Sequence, residues 1–256
     1  MQKRLVQYVC SLIFVALAAG LPLRAQSADQ GKAPMYSYIS EWAVPRAQWA
    51  DMEKLDDQEK SLMDKLIADG TIVSYASFTN LLHQEGEPTH GTWFSAMSEG
   101  KLLKALEAVY AQGTTTAPVQ AASKHWDYLT VSRLYNQRSG KFDGGYLIVS
   151  FWNVKPGHMH EVRDLEKNNI VPVLEKLLAE GTVTAYGMET EDFHAGKLGR
   201  ADFYVTVSDA AAMDTVDKAL DDVFEKNPAL EAAFRSMTES EGHRDYLLRL
   251  RYMANK

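Results

Sequence analysis

Apolar positions along this chain switch period several times, and each switch marks an element. Residues 36–42 are rich in aromatic side chains and predict a strand that Pro45 stops. Over 48–68, Trp49, Met52, Leu55, Leu62, Leu66 and Ile67 recur among charges at helical spacing, with a solvated opposite face. Gly70 supplies the left-handed turn that ends such a helix, and the β-branched run Thr71, Ile72, Val73 opens a strand reaching residue 78. A polar loop carrying Gly86, Pro88 and Gly91 leads to a strand at 92–97 and a helix at 100–110. Beyond a linker at 112–123, a fourth strand is predicted at 126–135, so the order is βαββαβ.

The same order then recurs: strand 145–152, helix 160–179, strands 182–188 and 201–207, helix 211–224 and strand 246–252, with a further helix at 229–238 after Asn227-Pro228. The residues repeat with it. Trp42 and Trp152, each near the end of a first strand, stand 110 residues apart. A spacing of 111 carries Gly70 onto Gly181, Tyr75 onto Tyr186 and His83 onto His194. A repeat of this length is a duplicated domain, because each copy can bury its own core. The polar, glycine-bearing stretch 136–144 reads as the linker between domains at 35–136 and 145–253.

A βαββαβ unit forms a four-stranded antiparallel sheet with both helices on one face. Both first strands are apolar on both parities, so the second face also needs cover. The other copy's sheet is the simplest cover. The expected fold is therefore α+β, with two tandem ferredoxin-like βαββαβ domains whose antiparallel sheets pack as an intrachain pseudo-dimeric α+β barrel. With its Trp152-Asn-Val-Lys-Pro-Gly157 signature and the helix-glycine-strand junctions at Gly70 and Gly181, the chain resembles the dimeric α+β barrel superfamily. That superfamily includes the antibiotic-biosynthesis-monooxygenase, EthD-like and NIPSNAP groups. The resemblance implies a range of activities, from cofactor-independent oxygenation through isomerisation and haem degradation to none known. It does not choose among them.

Composition narrows the setting. Lys3 and Arg4 precede an apolar run from Leu5 to Ala19 that is too short to span a bilayer comfortably, and Leu23-Arg24-Ala25 offers a cleavage site. This predicts a signal peptide over 1–25, a secreted or periplasmic protein and no stable membrane insertion after cleavage. The single cysteine, Cys10, lies in that leader, which leaves no thiol for a disulfide or a thiolate metal site. Loss of Lys3, Arg4 and Arg24 would take the formal charge from −7 to −10, and such a surface repels nucleic acid. Because one chain supplies both halves of the barrel, it is expected as a monomeric pseudo-dimer or as a homodimer.

Several side chains could carry chemistry. The small neighbours of Tyr75 and Tyr186 suit close helix packing, which would turn both tyrosines into the barrel as ligand or proton donors; filling the core with a satisfied hydroxyl is the other reading. His83 and His194, near the ends of the second strands, could serve as general bases at a pocket rim or simply bond loop backbone. Arg133 and Arg251 could anchor a carboxylate or enolate if inward, yet alternation in 248–252 puts arginines on a solvated face. Trp42 and Trp152 suit a core or an aromatic pocket, and Asn153 adjoins the second. Some haem-degrading members of the resembling superfamily place an asparagine near that position, together with a tryptophan and a histidine on other elements. Here the first copy carries Ala43 instead, and neither second helix has a histidine. His158-Met-His160 is a poor metal pair on a helix, because residues two apart do not face the same way. No metal and no cofactor are expected. The functional expectation is a small aromatic or enolisable ligand, bound or transformed as by an oxygenase or isomerase without a metal; the alternative is a non-catalytic periplasmic binding or interaction protein.

Overall fold

The computed structural model describes residues 32–113, 116–193 and 199–256. The expected signal peptide at 1–25 and His194 lie outside these residues. In chain order the strands are β1 (Met35–Trp42), β2 (Ser74–Asn80), β3 (His90–Ala96), β4 (His125–Gln137), β5 (Gly140–Asp143), β6 (Tyr146–Val154), β7 (Val183–Glu191), β8 (Arg200–Val207) and β9 (Thr238–Asn255). The helices are α1 (Trp49–Ala68), α2 (Glu99–Tyr110), α3 (Ala117–Ala121), α4 (Met159–Leu165), α5 (Val171–Glu180), α6 (Ala210–Lys226) and α7 (Pro228–Met237).

The sheet runs β2-β3-β1-β4-β7-β8-β6-β9, and β9 pairs back onto β2. Eight antiparallel strands thus close into a barrel, and closure removes the free edges that an open sheet would expose. Each half contributes four consecutive strands, in the orders β4-β1-β3-β2 and β9-β6-β8-β7. Two seams join the halves: Asn136 opposes Tyr186 across β4 and β7, and Tyr75 opposes Ala254 across β2 and β9. The predicted linker is not all loop. Its residues Gly140–Asp143 form β5, which continues along the β9 edge that β6 leaves, and Phe142 packs on the apolar cluster of Phe78, Leu248 and Met253.

Local chemistry sets the helix ends. Ser98 and Asp209 cap α2 and α6 by accepting from the Lys101 and Ala212 backbone N–H groups at 3.3 and 2.9 Å. Gly181, at φ +88°, ends α5 in the left-handed conformation expected of it. The helix predicted at 160–179 is interrupted by one π turn, Glu166–Ile170. Pro172, in the first turn of α5, lacks the N–H that would bond back to Asn168, and its ring crowds that carbonyl. The wider turn accommodates both.

All the helices lie outside the barrel, so each strand has a lumen face and a helix face. On β2, Ser74, Ala76 and Phe78 face the lumen, whereas Tyr75 packs with Met63, Leu66 and Leu102 under α1 and α2. On β7, Ala185 and Glu189 face the lumen, and Tyr186 packs with Leu174, Leu177 and Val216 under α5 and α6. The inward orientation expected for Tyr75 and Tyr186 is therefore reversed. The rings of Phe78, Trp93, Tyr128 and Tyr204 already crowd the narrow axis of a closed eight-stranded barrel, so Ser74, Ala76 and Ala185 fit beside them, and Tyr75 and Tyr186 pack in the layer beneath the helices.

Candidate functional site

A cavity of about 440 Å³ lies between the sheet and the helices of the second half. β6 and β8 lay its floor with Ile148, Ser150, Trp152, Phe203 and Val205; α5, α6 and α7 roof it with Leu174, Leu220, Phe224 and Phe234. Its equivalent in the first half, under α1 and α2, holds only about 80 Å³. An apolar chamber of the larger size, with few polar groups, suits a drug-sized organic molecule.

Glu166, the first residue of the π turn, lines this chamber and has no hydrogen bond or ion pair among the described residues. Burial alone pushes its carboxyl up from 4.5 to about 8. Asp217 at the rim is also raised, by burial first and then by Asp221 and Asp214. Glu231 and Arg235, paired at 2.7 Å, complete the rim.

The Trp152 wall is held from behind. Its indole stacks on His243 with ring centroids 3.7 Å apart and meets Phe234 edge-on. Trp152 Nε1 donates to Ser150 Oγ at 3.1 Å, and that hydroxyl donates to Asp245 Oδ1 at 2.5 Å. His243 Nε2 lies 3.2 Å from Asp245 Oδ2, and its Nδ1 lies 3.0 Å from the Phe151 carbonyl oxygen. The first half builds a similar group from the same residue types, although Trp42 Nε1 has no hydrogen-bond partner among the described residues. Trp42 stacks on His125, and Ser40 Oγ donates to Asp127 Oδ1 at 2.6 Å beside His125 Nε2 at 2.8 Å. Neither group is a nucleophile triad, because serine activation needs serine and carboxylate on opposite imidazole nitrogens. In the first half both meet Nε2, and Asp127 Oδ1 stands 3.1 Å from it.

Of the described residues singled out from sequence, Trp152 alone lines the chamber. Tyr75 donates to Asp64 Oδ1 at 2.6 Å, and Tyr186 donates to Glu175 Oε1. Both phenols are held above the ordinary tyrosine range, first by burial and then by those carboxylates. His83 is exposed and packs on Trp49, and Arg133 is exposed. Arg251 is not inward: it faces α1, 3.0 Å from Asp57 and 3.4 Å from Glu53. Asn153 borders the barrel mouth and donates to the Glu241 carbonyl at 3.3 Å. His158 and His160 begin α4, with His158 near Glu161 at 3.7 Å. Among the described residues no three His, Cys, Asp or Glu side chains cluster to hold a metal, and no helix is long and apolar enough to cross a membrane.

Sequence reasoning missed Ser150, Glu166, His243 and Asp245. A signal for three of them was present: Ser-x-Trp recurs at a spacing of 110 and His-x-Asp at 118, as Ser40 and Ser150, His125 and His243, Asp127 and Asp245. The unequal spacings hid the group.

No protein-family model matches the chain, and no curated protein matches its sequence. Solved structures do match in shape. A "putative monooxygenase" from Lactobacillus acidophilus NCFM superposes with a TM-score of 0.66 at 11% identity, over 88% of this chain and 97% of that one. A second "putative monooxygenase", from Fusobacterium nucleatum subsp. nucleatum ATCC 25586, gives 0.62 at 11% identity, over 88% and 95%. An anthrone oxidase-like protein gives 0.56 at 11% identity, over 88% and 94%. The fold is the dimeric α+β barrel. At such identities the likeness reaches the α+β barrel alone, and the chemistry has to be argued from the cavity.

Proposed function

We propose that this protein holds a small, mostly apolar aromatic or enolisable molecule in the second-half chamber, and that Glu166 exchanges a proton with it. The observation carrying this reading is an unpartnered carboxyl, raised to about 8, facing a mostly apolar chamber of about 440 Å³. A base of that strength in an apolar site suits removal of a proton from a C–H or O–H acid at neutral pH. Return of the proton to a different carbon is isomerisation. Attack of the resulting carbanion on dioxygen, the substrate supplying the electrons, is oxygenation; the monooxygenase and anthrone oxidase-like names of the structural neighbours are compatible with it. Neither course calls on a metal.

The experiment is exchange of the methylene protons of benzoylacetone in D2O. Catalysed exchange that falls at least tenfold in Glu166→Gln while binding persists supports a base at this position. Equal exchange in both proteins overturns it. Binding without any catalysed exchange favours the second reading, a ligand-binding protein without turnover, which the mostly apolar lining also suits.

The two halves are further read as a tandem duplication of one ferredoxin-like unit, at 35–136 and 145–253, acting as a monomeric pseudo-dimer. The shared strand order and the repeated Trp–Ser–Asp–His group support this. Export to a periplasm or medium is proposed from the leader sequence, and native mass and cell fractionation test both points.

A further inference from the structure

The barrel lumen contains a charged group that the second-half chamber does not use. β8 directs Arg200 and Asp202 into it, β7 Glu189 and β1 Glu41. With Glu191, whose Oε1 lies 3.8 Å from Arg200 Nη1, four carboxyls thus face one guanidinium, but four of these five groups are already engaged. Glu189 accepts from Ser37, Thr130 and Ser132, each at 3.0 Å. Arg200 Nε donates to Asp202 at 2.8 Å, and the guanidinium lies between the Tyr128 and Phe151 rings, 4.2 and 4.3 Å from their centroids. Glu41 alone has neither a hydrogen bond nor an ion pair among the described residues.

Glu41 is also reachable. The lumen space, about 70 Å³, continues past Glu41, Tyr128, Phe151, Arg200 and Tyr246 into a recess of about 320 Å³ at the barrel mouth. The mouth is aromatic as well as polar. Its cations do not compete for Glu41: Arg244 pairs with Glu87 at 2.5 Å, and Lys124 donates to the Gly86 carbonyl at 3.1 Å.

We propose that the lumen and its mouth form a second site, which takes a small aromatic ammonium ion whose N–H groups are donated to Glu41. An anion would meet Glu41 and Glu189 with the Arg200 charge already matched by Asp202. A cation finds an excess of carboxyls and ring faces on which to rest. Burial raises Glu41 to about 7, against a lowering by Arg200 and with smaller raising contributions from Asp202 and Glu87; Tyr128, Tyr204, Tyr246, Glu189, Lys124 and Arg244 are the other titratable groups lining the same space. Binding is therefore expected to strengthen as Glu41 ionises.

Calorimetry with benzylammonium, benzyl alcohol and benzoate as probes tests this on the full chain. Expected are benzylammonium binding about tenfold tighter at pH 8 than at pH 6, following the ionised fraction of a carboxyl near 7, at least tenfold weakening in Glu41→Gln, and no change in Glu166→Gln. Absent binding, equal binding of benzoate or benzyl alcohol, or an effect of Glu166→Gln in place of Glu41→Gln overturns the assignment. Should Glu41→Gln fail to fold, Glu41→Asp withdraws the carboxylate by one methylene; weaker binding with the pH response retained supports the site, and unchanged affinity overturns it.

Discussion

The indole of Trp152 lies nearly parallel to the imidazole of His243, their planes 19° apart, and Trp42 lies on His125 at 7°. Only the Trp152 stack walls a chamber large enough for a ligand, so only there does the histidine bear on function. His243→Ala removes the surface behind Trp152, and stacked pairs contribute about 0.5–1.5 kcal/mol beyond area burial. The expected result is a red-shifted tryptophan emission and chamber-ligand affinity weakened about three- to tenfold, restored in His243→Phe. An equal loss of chamber affinity in His125→Ala would contradict the assignment.

The contribution of the buried carboxyls to stability should fall as pH rises from about 5 to about 8, opposed below about 6.5 by His90, which burial lowers to about 4. Glu166 titrates near 8 in the fold and near 4.5 when unfolded, so the native state binds more protons between those values, and each rise in pH favours the unfolded chain. Asp202 and Asp56, both raised to about 7 chiefly by burial, act with the same sign. Glu166→Gln is expected to gain on the order of 4 kcal/mol at pH 8 and almost nothing at pH 4, read from denaturant midpoints at the two pH values.

Tyr75→Phe and Tyr186→Phe each remove a phenol hydroxyl from a helix carboxylate. A loss of about 1–2 kcal/mol apiece is expected, with chamber-ligand affinity unchanged. Thermal shift with and without ligand separates the two effects. A loss of ligand stabilisation in either variant would return these tyrosines to a binding role.

Gly91 and Gly187 leave space for aromatic rings across the strand. A Cβ at Gly187 would come within 2.6 Å of the Tyr204 hydroxyl, and one at Gly91 within 2.3 Å of the Phe78 ring and 2.9 Å of the Ser40 carbonyl oxygen. Alanine at either position should destabilise by about 1–3 kcal/mol. Gly91→Ala should cost more, since backbone as well as a ring must shift. Urea unfolding of the two variants ranks them.

Much of this architecture could be read from period alone. Helix-ending Gly70 and Gly181, the doubled strand order and the outward helices follow from residues that act locally. The facing of β2 and β7 did not follow, because Ser74, Ala76 and Ala185 fit either a helix contact or a narrow lumen, and barrel closure decides between them. The π turn depends on Pro172 against a carbonyl four residues back, and Glu166 looks like any helix-surface glutamate until that turn carries it into the chamber. Strand β5 was concealed within a polar stretch that pairs only because β9 runs past the end of β6.

Both seams of the barrel are made by one polypeptide. Where two identical subunits close such a barrel, every substitution appears twice, and a cavity enlarged on one side is enlarged on the other. A single chain is released from that symmetry. Here Leu55, Met63 and Leu106 narrow the space under the first half's helices while the second half has a far larger chamber, and a substitution in one half leaves the other untouched.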